Sequence, residues 1–322
     1  MKAAKHLFIY IMGAATVIGF IVLTSYTDPD KQKNATNSTT VDQNTTQDNS
    51  SQTMDTDPVQ TVNAPSLPDS ITFAGEHLPM DNFDARERFD REFLSMCFWH
   101  SKMIAIIKLS NRYFPIMEEI FKEHGLPDDF KYLAVTESSL RNATSPAGAK
   151  GIWQFMPATG KEYGLVINSE IDERYHIEKA TAAACKYLKK SYKKFDSWLL
   201  AAAAYNMGGP RLKTRIEAQH TNKYFDLYLN QETSRYVPRI MAAKEVMTDP
   251  KKYGFNIAEK DLYVPLPKFK IVTVDGAISS WSDFAKEHNI SYRELKVFNP
   301  WIISTKLTNK SRHSFDVKVP TK

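Results

Sequence analysis

The helical pattern begins at Asp81, and from Phe83 to Gly125 the chain reads FDARERFDREFLSMCFWHSKMIAIIKLSNRYFPIMEEIFKEHG, with apolar residues recurring three and four positions apart. That spacing predicts helix, and Gly125 is placed to end it. Pro127-Asp128-Asp129 opens a further helix, DDFKYLAVTESSL, with its acidic residues in the first turn, where the helix dipole favours them. The stretch 139–172 is loop-rich and holds Pro146, Gly148, Gly151, Pro157, Gly160 and Gly164. DERYHIEKATAAACKYLKKSYKKF and SWLLAAAAYNMGG follow as helices, and four consecutive alanines in the second permit close helix–helix approach. ETSRYVPRIMAAKEVM is the last helix of the series, so residues 81–250 form an almost purely α unit.

After the linker Val264-Pro-Leu-Pro the pattern changes. KIVTV reads as a strand, SSWSDFAKEHN and SYRELKVFN as helices, and FDVKVP as a strand, a βααβ order spanning enough chain for a small module.

Ahead of the helical unit lie two segments of different character. Residues 28–70 are rich in Asn, Thr, Ser, Gln and Asp and nearly free of large apolar side chains, so they cannot offset the entropy of ordering. They form a flexible tether whose mean reach is about 35 Å. Before it, Lys2 and Lys5 precede a charge-free run of 17 residues, Leu7 to Leu23. That length approaches what crosses the hydrocarbon of a bilayer, and no convincing small-residue cleavage site follows. The expected organisation is a signal anchor or signal peptide over 1–27, a tether over 28–70, a helical domain over 71–263 and the small module over 264–322. Positive charge before the apolar run keeps the N-terminus in the cytoplasm and exports the remainder, to the periplasmic side of an inner membrane.

Charge and cysteine content narrow the class further. The chain carries a net charge of +5, while the tether has seven Asp against only Lys31 and Lys33, so the folded part is distinctly basic. Such a surface suits a polyanion, and export disfavours nucleic acid in favour of anionic lipid or the bacterial wall. The only cysteines, Cys97 and Cys185, have no CxxC spacing; they could pair in an oxidising compartment or serve as small buried hydrophobes. The histidines show no HExxH or Cys/His metal spacing, and no GxSxG elbow or phosphate-binding glycine loop occurs. No cofactor is expected.

The candidate chemistry centres on Thr136-Glu137-Ser138-Ser139-Leu140 and the following Ser145-Pro-Ala-Gly148-Ala-Lys-Gly151-Ile-Trp153-Gln154-Phe-Met-Pro157. Glu137 ends an apolar helical run, where desolvation would raise its pKa into the range a general acid needs near neutral pH. Gln154 offers an amide to a sugar, and Trp153 and Phe155 offer flat apolar faces. A Glu near a helix end is, on its own, more often a solvated surface residue. Asp172 and Glu173 read as a helix start rather than as a second catalytic acid.

The segment ESSLRNATSPAGAKGIWQFMPATGKEYGL resembles the catalytic segment of the lytic murein transglycosylases: Glu-Ser, a short loop, then Ser-x-x-Gly-Ala-x-Gly-[Leu/Ile]-x-Gln-x-Met-Pro. Ala204-Tyr205-Asn206-x-Gly208 and Glu232-Thr-x-x-Tyr236-Val follow in that family's order, and Trp153 is most similar to the D-type membrane-bound branch. The resemblance implies a mainly α, lysozyme-like fold of the goose-type or SLT kind with a glycan cleft. It implies non-hydrolytic cleavage of the MurNAc–GlcNAc β-1,4 bond of peptidoglycan, leaving 1,6-anhydroMurNAc ends, with Glu137 as acid and then base. Ser145, Gln154, Tyr205, Asn206 and Tyr236 would be substrate contacts, although Tyr205 and Asn206 could instead cap the alanine-rich helix and Tyr236 could be core. Trp281-x-x-Phe284-Ala, Tyr292-x-x-Leu295 and Asn299-Pro300-Trp301 resemble a divergent LysM module, which would bind glycan chains or serve as a structural unit. The rival functions are a hydrolytic muramidase on the same fold and a non-catalytic wall-binding protein.

Overall fold

The computed structural model describes residues 62–310 and 312–321. The apolar N-terminal segment and nearly all of the tether lie outside the described residues. Among the described residues no helix is long and apolar enough to cross a membrane.

The folded chain opens on a two-residue hairpin, β1 (Thr72–Phe73) and β2 (Glu76–His77), turned by Ala74 and Gly75 at positive φ. The buried Phe73 ring meets Phe130 edge-on, 4.9 Å between centroids. The helical stretch that follows is two helices, α1 (Phe83–Phe98) and α2 (His100–His124), broken at Trp99. The Asn82 side chain accepts from the Ala85 N–H and caps α1. Gly125, at φ 60°, ends α2 as its sequence position predicts.

Pro127 leads first into a 3₁₀ turn, Asp128–Phe130, and only then into α3 (Lys131–Ser138). The acidic pair does not simply occupy the first turn of that helix. Asp129 accepts from the Ala74 N–H and from the Lys244 ammonium, fixing the hairpin to the body. The loop-rich stretch contains one short helix, α4 (Pro157–Glu162). Residues 173–175 form a 3₁₀ turn, so the predicted helix start at Asp172 moves to α5 (Ile177–Phe195).

The alanine-rich helix is α6 (Trp198–Met207), in which Ala201–Ala204 are fully buried. With side chains this small, α6 sits directly against α5 on one side, and it also contacts α7 (Gly209–Gln219) and α8 (Gln231–Thr248). The α8 helix contains Pro238, which has no N–H to give to the carbonyl of Ser234. Arg88 and the Tyr224 hydroxyl donate to that carbonyl instead, at 3.4 and 3.1 Å. The helix therefore stays whole, with α1 and α3 packed along it.

The small module is as its pattern predicts: β3 (Phe269–Val274), α9 (Trp281–Glu287), α10 (Tyr292–Phe298) and β4 (Phe315–Pro320), with β3 and β4 antiparallel. Its core of Trp281, Leu295, Trp301, Val317 and neighbours also takes in Ile171 from the helical body. Backbone bridges carry the same connection: Ile171 pairs with Ile302, and the Asp172 N–H donates to the Trp301 carbonyl at 2.9 Å. The linker between body and module is pinned at its start, where Arg112 donates to the Val264 carbonyl.

The described fold is thus mainly α with a small βααβ unit, the class expected. Cys97 and Cys185 are both free thiols. Burial pushes each up to about 12, so both act as buried hydrophobes.

Candidate active site

Glu137 lies in the last turn of α3, and the chain leaves that helix through two successive left-handed residues, Ser139 (φ 55°) and Leu140 (φ 59°). This reversal lets Leu140 bury completely while Glu137 stays at the edge of the core, half-buried. The Tyr236 hydroxyl, from α8, donates to Glu137 Oε1. Burial raises the Glu137 carboxyl to about 7; the Tyr236 bond opposes this, the Glu232 carboxylate adds to it and the Arg239 guanidinium subtracts. No cation is in ion-pair contact with Glu137 among the described residues.

The nearby charges are bound to one another. Arg239 donates to Glu232 at 3.0 Å and to Glu92 at 2.9 Å, and Arg235 also donates to Glu92, at 2.5 Å. Glu92 projects from α1 and is only 3% exposed. This network locks α1 to α8 and pairs both arginines with Glu92 and Glu232 rather than with Glu137. Glu137 is left as a carboxyl that can carry a proton near neutral pH and release it to a ligand.

Tyr205 and Asn206 reach the same region from the end of α6. The Tyr205 hydroxyl donates to the Trp153 carbonyl at 2.7 Å and lies within electrostatic reach of Glu137 and Tyr236. Burial, above all, raises the phenol pKa of both tyrosines far above the ordinary value, so each stays a hydrogen donor. Asn206 accepts from the Thr233 hydroxyl at 2.8 Å, joining α6 to the first turn of α8. The C-cap of α6 is Gly208, so neither residue is in the cap position.

The glycine-rich stretch brings Gln154 and Ser145 into one compact loop but joins neither side chain to Glu137 by a hydrogen bond. Gln154 sits at φ 49°, and its amide nitrogen donates to the carbonyls of Ala143 and Gly151. Its side-chain carbonyl is the part left for a ligand. Ser145 Oγ accepts from the Ala149 N–H, closing a turn. Gly151 is required: a Cβ there would lie 1.8 Å from the Arg174 carbonyl oxygen. The expectation that Trp153 and Phe155 present flat faces is corrected. Trp153 is fully buried and its indole N–H donates to Thr181, while Phe155 is 3% exposed. They form the floor beneath Tyr205, and their rings meet it edge-on.

Asp172 and Glu173 are buried, as a catalytic acid could be, but both are paired. Asp172 forks onto Arg174 at 2.8 and 2.7 Å, and Arg174 in turn donates to the carbonyls of Gly148 and Phe155. Glu173 accepts from Lys179 and from the Val166 N–H. Among the described residues no group of His, Cys, Asp and Glu is arranged to hold a metal ion. Sequence reasoning did not find Glu92, Arg235, Arg239 and Arg174, whose partners lie on other elements or in the glycine-rich loop.

Residues 115–227 match the transglycosylase SLT domain, and residues 270–322 match the soluble lytic transglycosylase C-terminal LysM-like domain. Both segments thus match domain models that are named for transglycosylases. It is 34% identical over 187 residues to membrane-bound lytic murein transglycosylase D of Escherichia coli (strain K12), covering 55% of this chain and 40% of that protein. A putative tributyltin chloride resistance protein of Alteromonas sp. (strain M-1) is 25% identical over 193 residues, covering 58% of this chain and 86% of the relative. Among solved structures, an inactive mutant of lytic transglycosylase Slt from Pseudomonas aeruginosa aligns over 57% of this chain and 36% of its own, with TM-score 0.40 and 18% identity. The chain therefore spans less than half the length of the E. coli relative.

Proposed function

We propose that the protein is a peptidoglycan lytic transglycosylase in which Glu137 is the single acid and base. The observation that carries this reading is the pairing pattern of the carboxylates. Glu137 is raised to about 7 with a tyrosine hydroxyl as its contact, while Glu232, Asp172 and Glu173 are each tied to a cation. The usual hydrolytic glycosidase uses two working carboxyls, and of these four described carboxyls only Glu137 is without a paired cation.

Protonated Glu137 gives its proton to the glycosidic oxygen, O4 of GlcNAc, and the bond between that oxygen and MurNAc C1 breaks. The resulting carboxylate, held by Tyr236, takes the proton from the MurNAc C6 hydroxyl as its oxygen bonds to C1. The product is a 1,6-anhydro ring and a free GlcNAc 4-hydroxyl, with no water consumed and Glu137 protonated again. Ser145, the Gln154 carbonyl, Tyr205 and Asn206 border the site as substrate contacts. Tyr205 keeps its hydroxyl on the Trp153 carbonyl and contributes through the edge of its ring.

The expected setting is the periplasmic face of the inner membrane, with the 1–27 segment as the anchor and the tether as the spacer. Digestion of purified sacculi with the full chain tests the reaction. Soluble muropeptides lighter by one water than hydrolytic products, and lost with Glu137→Gln, support it. Reducing MurNAc ends would make the protein a muramidase, and pull-down on sacculi without soluble products would make it a wall-binding protein.

A further inference from the structure

We infer that the C-terminal module is a fixed brace for the cleft loop, holding residues 143–155 in place through the 170–178 segment. A wall anchor swinging on a linker needs a free module. Here residues 301–308, in the loop between α10 and β4, are joined to the helical body. Ile302 bridges Ile171, the Trp301 carbonyl accepts from Asp172, and the Ile303 N–H donates to the Glu170 carbonyl at 3.0 Å. The Glu170 carboxylate accepts from both the backbone and the hydroxyl of Thr308, each at 2.9 Å. The Trp301 ring stacks on His176, 5.6 Å between centroids, and Lys318 pairs with Glu178.

The other side of the same segment holds the loop. Asp172, whose N–H is taken by the module, carries the bidentate pair to Arg174. Arg174 Nη1 bonds the carbonyls of Gly148 (2.9 Å) and Phe155 (3.1 Å), one on each side of Gly151 and Gln154. Tyr175, packed against the module core, exchanges a hydrogen bond with Thr144 at 2.9 Å. Opening the seam frees the Asp172 backbone, loosens Arg174 and slackens the loop that presents Gln154 and Ser145. Arg174 is a positioning residue and touches no substrate.

Native-state hydrogen exchange on the full chain tests the brace. The amides to follow are Ser145, Lys150 and Gly151, which the loop's own bonds protect. In Ile302→Glu, which puts a charge into the buried seam, their protection is expected to drop about tenfold or more, as for a locally opened segment. Amides of the β3–β4 ladder keep theirs, showing the module still folded, and the scattering radius rises, showing the seam open. Glu170→Ala, which removes only exposed contacts, gives a smaller change in the same direction. The brace is refuted if Ile302→Glu opens the seam and leaves the loop amides as protected as in wild type. If the ladder also exchanges freely, the comparison rests on Glu170→Ala, and unchanged loop protection there refutes it too. The kinetic arm rests on the transglycosylase reading: seam variants should lower kcat/KM on soluble glycan strands, chiefly through a higher KM because the loop carries substrate contacts, whereas a detached anchor would lower only turnover of insoluble sacculi. Exchange needs no turnover, so an inactive protein with a loosened loop would overturn the reaction and leave the brace standing.

Discussion

Desolvated carboxylates in two regions of this molecule have opposite fates. At the end of α3, Glu137 is desolvated against aromatic neighbours, its contact is a phenol, and its pKa rises to about 7. At the seam with the small module, Glu178 is also desolvated, yet the His176 ring and the Lys318 ammonium outweigh that and hold it at about 2. Asp172, with Arg174 forked onto it, is likewise lowered. Burial acts in the same direction in both places, and the partner decides the outcome. A carboxyl facing a neutral donor is left able to move a proton, and one facing a cation becomes part of the scaffold.

The largest test of that contrast is kinetic. Replacing a positioned acid–base group costs about 10²–10⁴-fold in turnover. Glu137→Gln should therefore all but abolish release of soluble muropeptides from sacculi, measured by chromatography against time. Turnover within a few-fold of wild type would move the chemistry to another residue.

The converse operation at the seam should cost stability. Asp172→Asn leaves the Arg174 guanidinium buried without its counter-charge, an arrangement that costs about 3–5 kcal/mol. Denaturant unfolding at pH 7 measures it. A loss well under 1 kcal/mol would mean that the two carbonyls on Arg174 suffice and that Asp172 is not the clamp.

The contrast also explains what the sequence could and could not reveal. The helical periodicity of 81–125, the Gly125 cap and the βααβ order of the module were legible because each depends on neighbours a few residues away. The motif around Glu137 was legible for the same reason. Pairings across long separations were not. Glu92 stands in a run of charged residues on α1 and reads as a surface position, yet it is buried by two arginines nearly 150 residues away. Trp153 and Phe155 were expected to face ligand because an apolar side chain in a glycine-rich loop can point either way, and only the position of Tyr205 and Thr181 settles it. The seam was invisible for a further reason: Ile171 lies in a loop with no periodicity and joins a core built 100 residues later.

A carboxyl raised by folding also makes the site a weak point in stability. In the unfolded chain Glu137 ionises near its ordinary value of 4.5, and in the folded protein near 7. Between these values the folded state binds more protons, so folding weakens as pH climbs and the full penalty is present above about pH 7. Glu137→Gln removes it. The variant should be more stable than wild type at pH 8 by about 1–3 kcal/mol, after allowing for the water that reaches a half-buried side chain, and level with it near pH 4. Glu178 has the opposite sign: its contribution is present above about 4.5 and is lost as pH falls toward 2. An equal effect of Glu137→Gln at pH 4 and pH 8 would mean that its pKa is not raised.

The smallest expected effect concerns Tyr236 alone. The Tyr236→Phe variant keeps the ring in its buried place and deletes the hydroxyl that donates to the Glu137 carboxylate. The acid form gains relative to the base form, so the pKa climbs further. A hydrogen bond to a charged group contributes about 1.5–3 kcal/mol, and part of that returns through water in the cleft, which leaves a shift of about one pH unit. Because the first step needs protonated Glu137, kcat/KM falls as pH rises through its pKa, and that alkaline limb should move upward in the variant. Movement downward would mean that the hydroxyl bonds the protonated acid instead. A limb that stays in place would mean that the bond between these two residues, 99 positions apart, contributes nothing to the reacting state.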